Sequence, residues 1–214
     1  MKSVKLLIFD LDGTLIDSKR DIANAVNLTF RDIGLPEKSH ETIYGYVGNG
    51  VRQLILDAIA SDDAPLIDRA LQIFEAHYLT HLLDETRLFP GIQVALDHYA
   101  NKKKALVTNK PELYTRKIVD GLHVEKHFDI VFAACPAVQL KPHPEMILKT
   151  LDALGIHPAD AVMIGDSLND IHAARAAGIR VCGVGYGFGD GEELKSEGVD
   201  YFVESGEALI PLFS

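Results

Sequence analysis

Cysteine, basic residues and long apolar runs are scarce in this 214-residue chain, and each shortage excludes something. The two cysteines, Cys135 and Cys182, stand far apart without a CxxC partner, so neither a zinc site nor a disulfide framework is indicated. Both are expected as small, buried apolar side chains. Twenty-one Lys and Arg against 31 Asp and Glu leave a net charge of −10, and Lys102 to Lys104 is the densest basic run. That balance argues against nucleic acid as a partner, since phosphate backbones need a basic face. No apolar run approaches the roughly 20 residues of a membrane helix. The first one, Val4 to Phe9, meets Asp10 too early for a signal-peptide core, so a cytoplasmic protein with no membrane partner is expected.

What is present is core-forming material: 47% of residues are hydrophobic, enough for one large domain or an ordinary domain with a smaller insert. Apolar, β-branched or small-residue runs read as buried strands at Val4 to Phe9, Ala105 to Thr108, Ile130 to Ala133, Ala161 to Ile164 and Arg180 to Val184, with Tyr201 to Val203 weaker. Helices are predicted between them, opening at Pro90-Gly91, Pro111-Glu112 and Pro144, with a further one from Leu168 closing at Gly178. Such alternation predicts an α/β fold, a Rossmann-like doubly wound parallel sheet. From about Ser18 to Leu83 the pattern is helical throughout (Ile22, Val26, Phe30; Leu54, Ile55, Ala58; Ala70, Phe74, Tyr78), with no convincing strand. The expected organisation is a core of residues 1–16 and 84–214 with a helical cap, 17–83, inserted after the first strand. Ligands of open parallel sheets bind at the carboxyl ends of strands, where this insert departs.

The first strand runs into Asp10-Leu11-Asp12-Gly13-Thr14. Taken alone this is an acidic turn, and it lacks the later Glu of a calcium loop. The same two carboxylates could also act chemically, one as a nucleophile toward phosphorus and the other as a general acid and base. Three further segments follow strands or open helices. Thr108-Asn109 reads as a turn or cap, and Lys141, between Leu140 and Pro142, as a solvated loop residue. Asp166 and Asp170, across a helix opening, read as an acidic cap favoured by the helix dipole. Beside Asp10, however, Asp166 would complete an oxygen-rich cluster suited to magnesium. An acidic chain that binds a small phosphate needs such a metal and a few placed cations.

In this order and setting the four segments resemble the motifs of the haloacid dehalogenase-like hydrolases. The resemblance implies a phosphohydrolase with Asp10 as nucleophile and Asp12 as acid and base, and with Asp166 and the Asp12 carbonyl joining Asp10 on Mg2+. It further implies that the Thr108 hydroxyl and the Asn109 backbone amide hold the phosphoryl oxygens, that Lys141 neutralises charge, and that Asp170 holds Lys141 or a metal-bound water. Dehalogenating members lack the second aspartate, so Asp12 points to phosphoryl transfer. Over its full length the chain looks most like the phosphoglycolate phosphatase branch, including Tyr46 to Leu54. The expected partner is therefore a small phosphate ester, and the expected assembly a monomer or homodimer.

Arg52, at a glycine-led helix start, could pair with a substrate carboxylate or could be a surface arginine. A pyrophosphatase, a broad sugar or nucleotide phosphatase, and a catalytically idle binding module are the alternatives. Gly183 to Gly189 lacks the GxGxxG spacing of a dinucleotide loop and is expected as a flexible loop near the metal. His77 and His81 lack the intervening pattern of a zinc helix.

Overall fold

A computed structural model describes residues 4–213, so residues 1–3 and 214 of the expected core lie outside the described residues. The chain divides into two compact units, one taking in the chain up to Asp17 and from Leu88 onward, the other Ser18–Arg87. The expected 83/84 division thus falls at 87/88. Residues Glu85 and Thr86 stay with the helical unit because the buried Asp21 carboxylate accepts from both of their amides and from the Thr86 hydroxyl.

In chain order the elements are β1 (Leu6–Phe9), β2 (Ile16–Asp17), α1 (Lys19–Ile33), α2 (His40–Tyr44), α3 (Val51–Ile59), α4 (Ala64–His81), β3 (Arg87–Leu88), α5 (Ile92–His98), β4 (Lys103–Pro111), α6 (Glu112–Gly121), β5 (Ile130–Ala134), α7 (Glu145–Leu154), β6 (Ala161–Gly165), α8 (Leu168–Ala176), β7 (Arg180–Val184), α9 (Gly191–Ser196) and β8 (Tyr201–Val203). A six-stranded sheet has the order β5-β4-β1-β6-β7-β8, and every pairing in it is parallel. β2 and β3 form a separate two-stranded sheet. All four residues of β1 and all five of β6 are buried, as strands covered on both faces must be, which is why they read as unbroken apolar runs. Leu6 and Ile8 pack with Ala105, Val107, Met163 and Val181, against Met146 and Ile147 of α7 and Ile171 of α8.

The helical unit is held by its apolar stripes. Ile22, Val26 and Phe30 of α1, Leu54, Ile55 and Ala58 of α3, and Ala70, Phe74 and Tyr78 of α4 are buried, and Phe74 stacks on Tyr78 at 5.4 Å. The five-residue α2 carries too little periodicity to be predicted; its start is capped by Ser39, whose hydroxyl accepts from the Thr42 amide. Among the described residues no helix is long and apolar enough to cross a membrane. Cys182 is buried, whereas Cys135 is only half-buried after β5, and neither is bonded.

Candidate active site

Strand order sets the geometry. β1 lies between β4 and β6, so Asp10 leaves the sheet between Thr108-Asn109 on one side and Asp166 on the other. The Asp10 amide donates to the Ile164 carbonyl of β6 (3.0 Å), which keeps the chain in sheet geometry up to the carboxylate. Immediately after it the backbone must turn under another side chain. Gly13 has φ +78°, and a Cβ there would run into the Asp166 carboxylate.

Three carboxylates, from Asp10, Asp166 and Asp170, offer oxygens lying within 4.8 Å of one another. Lys141, from the loop between β5 and α7, enters the cluster with a side chain 2% exposed. Its Nζ is 2.8 Å from Asp10 Oδ1 and 2.6 Å from Asp170 Oδ1, and it donates to the Val107 carbonyl at 2.9 Å. Asp170 is fully committed within the protein: Oδ1 to Lys141, and Oδ2 accepting from the Ser167 amide (3.1 Å) and hydroxyl (2.6 Å). Asp166 accepts from the Thr14 hydroxyl at Oδ1 (3.0 Å) and from the Phe188 and Gly189 amides at Oδ2 (2.8 and 3.3 Å). Asp10 differs. Its buried Oδ1 is met by the Lys141 ammonium at 2.8 Å, a charge contact shared with Asp170.

The electrostatics follow from this crowding. Burial, only partly opposed by Lys141, pushes the Asp10 carboxyl up to about 7. Burial, reinforced by Asp170 and Asp10, pushes Asp166 to about 8. Burial works against the Lys141 ammonium, but Asp10 and Asp170 outweigh it and hold its pKa above the usual lysine range. Three aspartates and one lysine, when all are ionised, leave a buried excess of two negative charges that a divalent cation would cancel. The donors are hard oxygens, so the residues present fit a magnesium-type ion.

A model of the haloacid dehalogenase-like hydrolases matches residues 7–184, which span every strand that contributes to this cluster. The chain belongs to this family. It is similar to the phosphoglycolate phosphatases of Chromobacterium violaceum, 36% identical over 96% of this chain and 94% of the relative, and of Colwellia psychrerythraea, 36% identical over 99% and 98%. Among solved structures, a haloacid dehalogenase-like hydrolase from Streptococcus pneumoniae matches over the full length of both chains with TM-score 0.90 and 28% identity.

In this haloacid dehalogenase-like hydrolase, Asp10, Asp12, Thr108, Asn109, Lys141, Asp166 and Asp170 come from one unit and one end of its sheet. Arg52 lies in the other unit, on α3, where its exposed guanidinium pairs with Asp68 of α4 (3.1 Å). Asn109 has a side-chain role that sequence reasoning missed. Its amide grips the Lys141 peptide from both sides, Oδ1 accepting from Lys141 N and Nδ2 donating to Lys141 O, each at 2.8 Å. Lys110 was also missed, because the strand predicted to end at Thr108 runs on to Pro111; its Nζ donates to both Oδ atoms of Asp12, at 2.9 and 3.0 Å. The Gly183 to Gly189 stretch supplies the two amides on Asp166. A Cβ at Gly189 would strike the Asp166 carbonyl, so the glycine permits that approach. His77 pairs with Asp32 and His81 with Asp84, which accounts for both histidines without a metal.

Proposed function

We propose that this protein is a Mg2+-dependent phosphatase of small phosphate monoesters that works through an aspartyl-phosphate on Asp10, with 2-phosphoglycolate as its substrate. The observation that carries the reading is the Asp10 carboxylate, buried with Asp166 and Asp170 around the single ammonium of Lys141. Three buried carboxylates sharing one ammonium are costly when ionised unless something else meets their charge, and here a metal and a phosphorus atom are the chemical candidates. The substrate is inferred from the phosphoglycolate phosphatases to which the chain is similar over nearly its whole length.

Asp10, Asp166 and the Asp12 carbonyl would hold Mg2+, which supplies charge neutralisation for the incoming phosphate. Asp10 attacks phosphorus in line while Lys141 offsets the charge gathering between them. The Thr108 hydroxyl and the Asn109 amide hold the phosphoryl oxygens, donors aimed where charge develops. Asp12 gives its proton to the leaving oxygen, then takes one from the water that opens the aspartyl-phosphate. Asp170 keeps Lys141 in place through their 2.6 Å contact. The helical unit, inserted in chain order between the Asp10 loop and the rest of the α/β unit, is assigned the role of a substrate-selecting cap. The assembly is taken as a cytoplasmic monomer or homodimer.

The test is phosphate release with Mg2+ from 2-phosphoglycolate, pyrophosphate, sugar phosphates and nucleotides, with wild type and Asp10→Asn in parallel. The expected result is 2-phosphoglycolate leading by about 100-fold or more in kcat/KM, roughly 2.7 kcal/mol of discrimination. Flat activity across the panel would remove the glycolate assignment. Equal inertness of both proteins would remove the phosphatase reading.

A further inference from the structure

Two lysines reach carboxylates of the site, and they hold different ones. Lys141 has its ammonium committed to Asp10, Asp170 and the Val107 carbonyl. Lys110 is paired with a different carboxylate, that of Asp12. Its side chain is 5% exposed, and its Nζ bridges both oxygens of Asp12, whose own side chain is 15% exposed and so opens toward solvent. The lysine stem is pinned at its root, because the Lys110 amide donates to the Thr108 hydroxyl (3.2 Å) and its carbonyl accepts from the Thr115 hydroxyl (3.3 Å). This cation is held in place at the end of β4 rather than free to swing into solvent.

Its position can be bounded on the assignment of Asp12 as the acid that protonates the leaving oxygen, on which this inference rests. Such an acid lies about 2.6 to 3.2 Å from that oxygen. Adding the 2.9 to 3.0 Å from Asp12 to Lys110 places the ammonium no farther than about 6 Å from the leaving oxygen. In an ester of a 2-hydroxy acid, ordinary bond lengths put the carboxylate oxygens roughly 3 Å from the ester oxygen. A carboxylate turned toward Lys110 would therefore come within the reach of an ammonium–carboxylate contact. An ester of a neutral alcohol has nothing to place there. Arg52, the other cation considered for this task, is exposed and paired with Asp68.

We propose that Lys110 is a specificity-determining residue: its ammonium, set beside Asp12, takes the carboxylate carried by the leaving alcohol, so that phosphate esters of 2-hydroxy acids are selected over those of neutral alcohols. Selection for the acid then begins in the α/β unit, one residue beyond the groups assigned to the phosphoryl oxygens.

The experiment compares kcat/KM for 2-phosphoglycolate and for ethyl phosphate in wild type, Lys110→Met and Lys110→Arg, each checked for folding by circular dichroism. Both rates fall in Lys110→Met, since Asp12 loses a partner, and the ratio between the substrates is the readout. That ratio is expected to drop about 30-fold or more in Lys110→Met and to stay within about threefold of wild type in Lys110→Arg. If Lys110→Met does not fold, Lys110→Gln, which keeps a polar chain of similar length, carries the same expectation. Equal losses on both substrates would overturn the assignment and leave Lys110 acting through Asp12 alone. A wild type inert on both esters would overturn the phosphatase reading, and the lysine's role with it.

Discussion

Each unit contains a buried carboxylate near its start, Asp10 in the α/β unit and Asp21 in the helical unit, and the two are satisfied in opposite ways. Asp21 accepts from the Glu85 and Thr86 amides and the Thr86 hydroxyl, at 2.8 to 3.1 Å, and neither of its oxygens is left over. Asp10 has a lysine in contact and two more carboxylates close by. Neutral donors that exhaust a buried carboxylate make it a structural tie. A buried carboxylate crowded by others of its own sign is unstable as it stands, which suits a group that must meet a cation and a phosphorus atom.

The widest separation between the two is in turnover. Asp10→Asn keeps shape and volume but removes the nucleophilic anion, so phosphate release is expected to fall by at least about 10³-fold with the fold intact. Circular dichroism alongside the assay separates this from unfolding. Retained activity in Asp10→Asn would place the chemistry elsewhere.

Removing the counter-charge should cost stability on the same side of the comparison. Lys141→Met leaves Asp10 and Asp170 buried without their cation and frees the Val107 carbonyl, for an expected loss of about 3 to 5 kcal/mol in denaturant unfolding. A loss below about 1 kcal/mol would mean that the carboxylates simply take up protons.

Proton uptake can be tested directly. Burial raises Asp10 to about 7 and Asp166 to about 8, whereas in the unfolded chain both ionise near 4. Between about pH 4 and pH 8 the metal-free folded state therefore holds protons that the unfolded state has shed, and stability must fall as pH rises through that window, by a few kcal/mol, before levelling. Mg2+ favours the ionised carboxylates, so the rise in Tm on adding it should grow with pH. A Tm in chelator that is constant from pH 5 to 8 would contradict the assigned crowding.

Asp21→Asn is the counterpart in the helical unit. The amide can replace one acceptor but turns an NH2 toward donors, so about 1 to 3 kcal/mol of stability should be lost. Activity per folded molecule should change far less than in Asp10→Asn.

How far the sequence carried the reader follows the same division. The parallel sheet was legible because strands buried on both faces must be apolar throughout, as Leu6 to Phe9 and Ala161 to Gly165 are. Asp10 and Asp166 were legible as polar residues at the ends of such runs, whereas Lys141 lies in the loop after β5 and was singled out only by the family resemblance. The groups that serve them were not. The Phe188 and Gly189 amides act through the backbone, which leaves no side-chain signature beyond the glycines that let it approach. The Asn109 grip on Lys141 joins positions far apart in the chain. Lys110 was lost to a strand end placed too early, which hid the cation that pairs with Asp12. Asp21 sits within an amphipathic helix, where an acidic residue in the first turn is unremarkable without its distant partners.

The smallest effect is expected at Arg52, where sequence left a substrate-reading arginine and a surface arginine equally open. Its pair with Asp68 joins two side chains that are 60% and 62% exposed, so solvent screens the contact. Arg52→Ala should cost less than about 0.5 kcal/mol, and KM for 2-phosphoglycolate should change by no more than about twofold. Because α3 is otherwise held by Leu54, Ile55 and Ala58, a kinetic effect in this variant could not be blamed on a disordered helix. A tenfold rise in KM with Tm unchanged would therefore restore Arg52 as a reader of the carboxylate. Combined with Lys110→Met it would then show whether two cations share one anion, in which case their effects on the substrate ratio would not be additive.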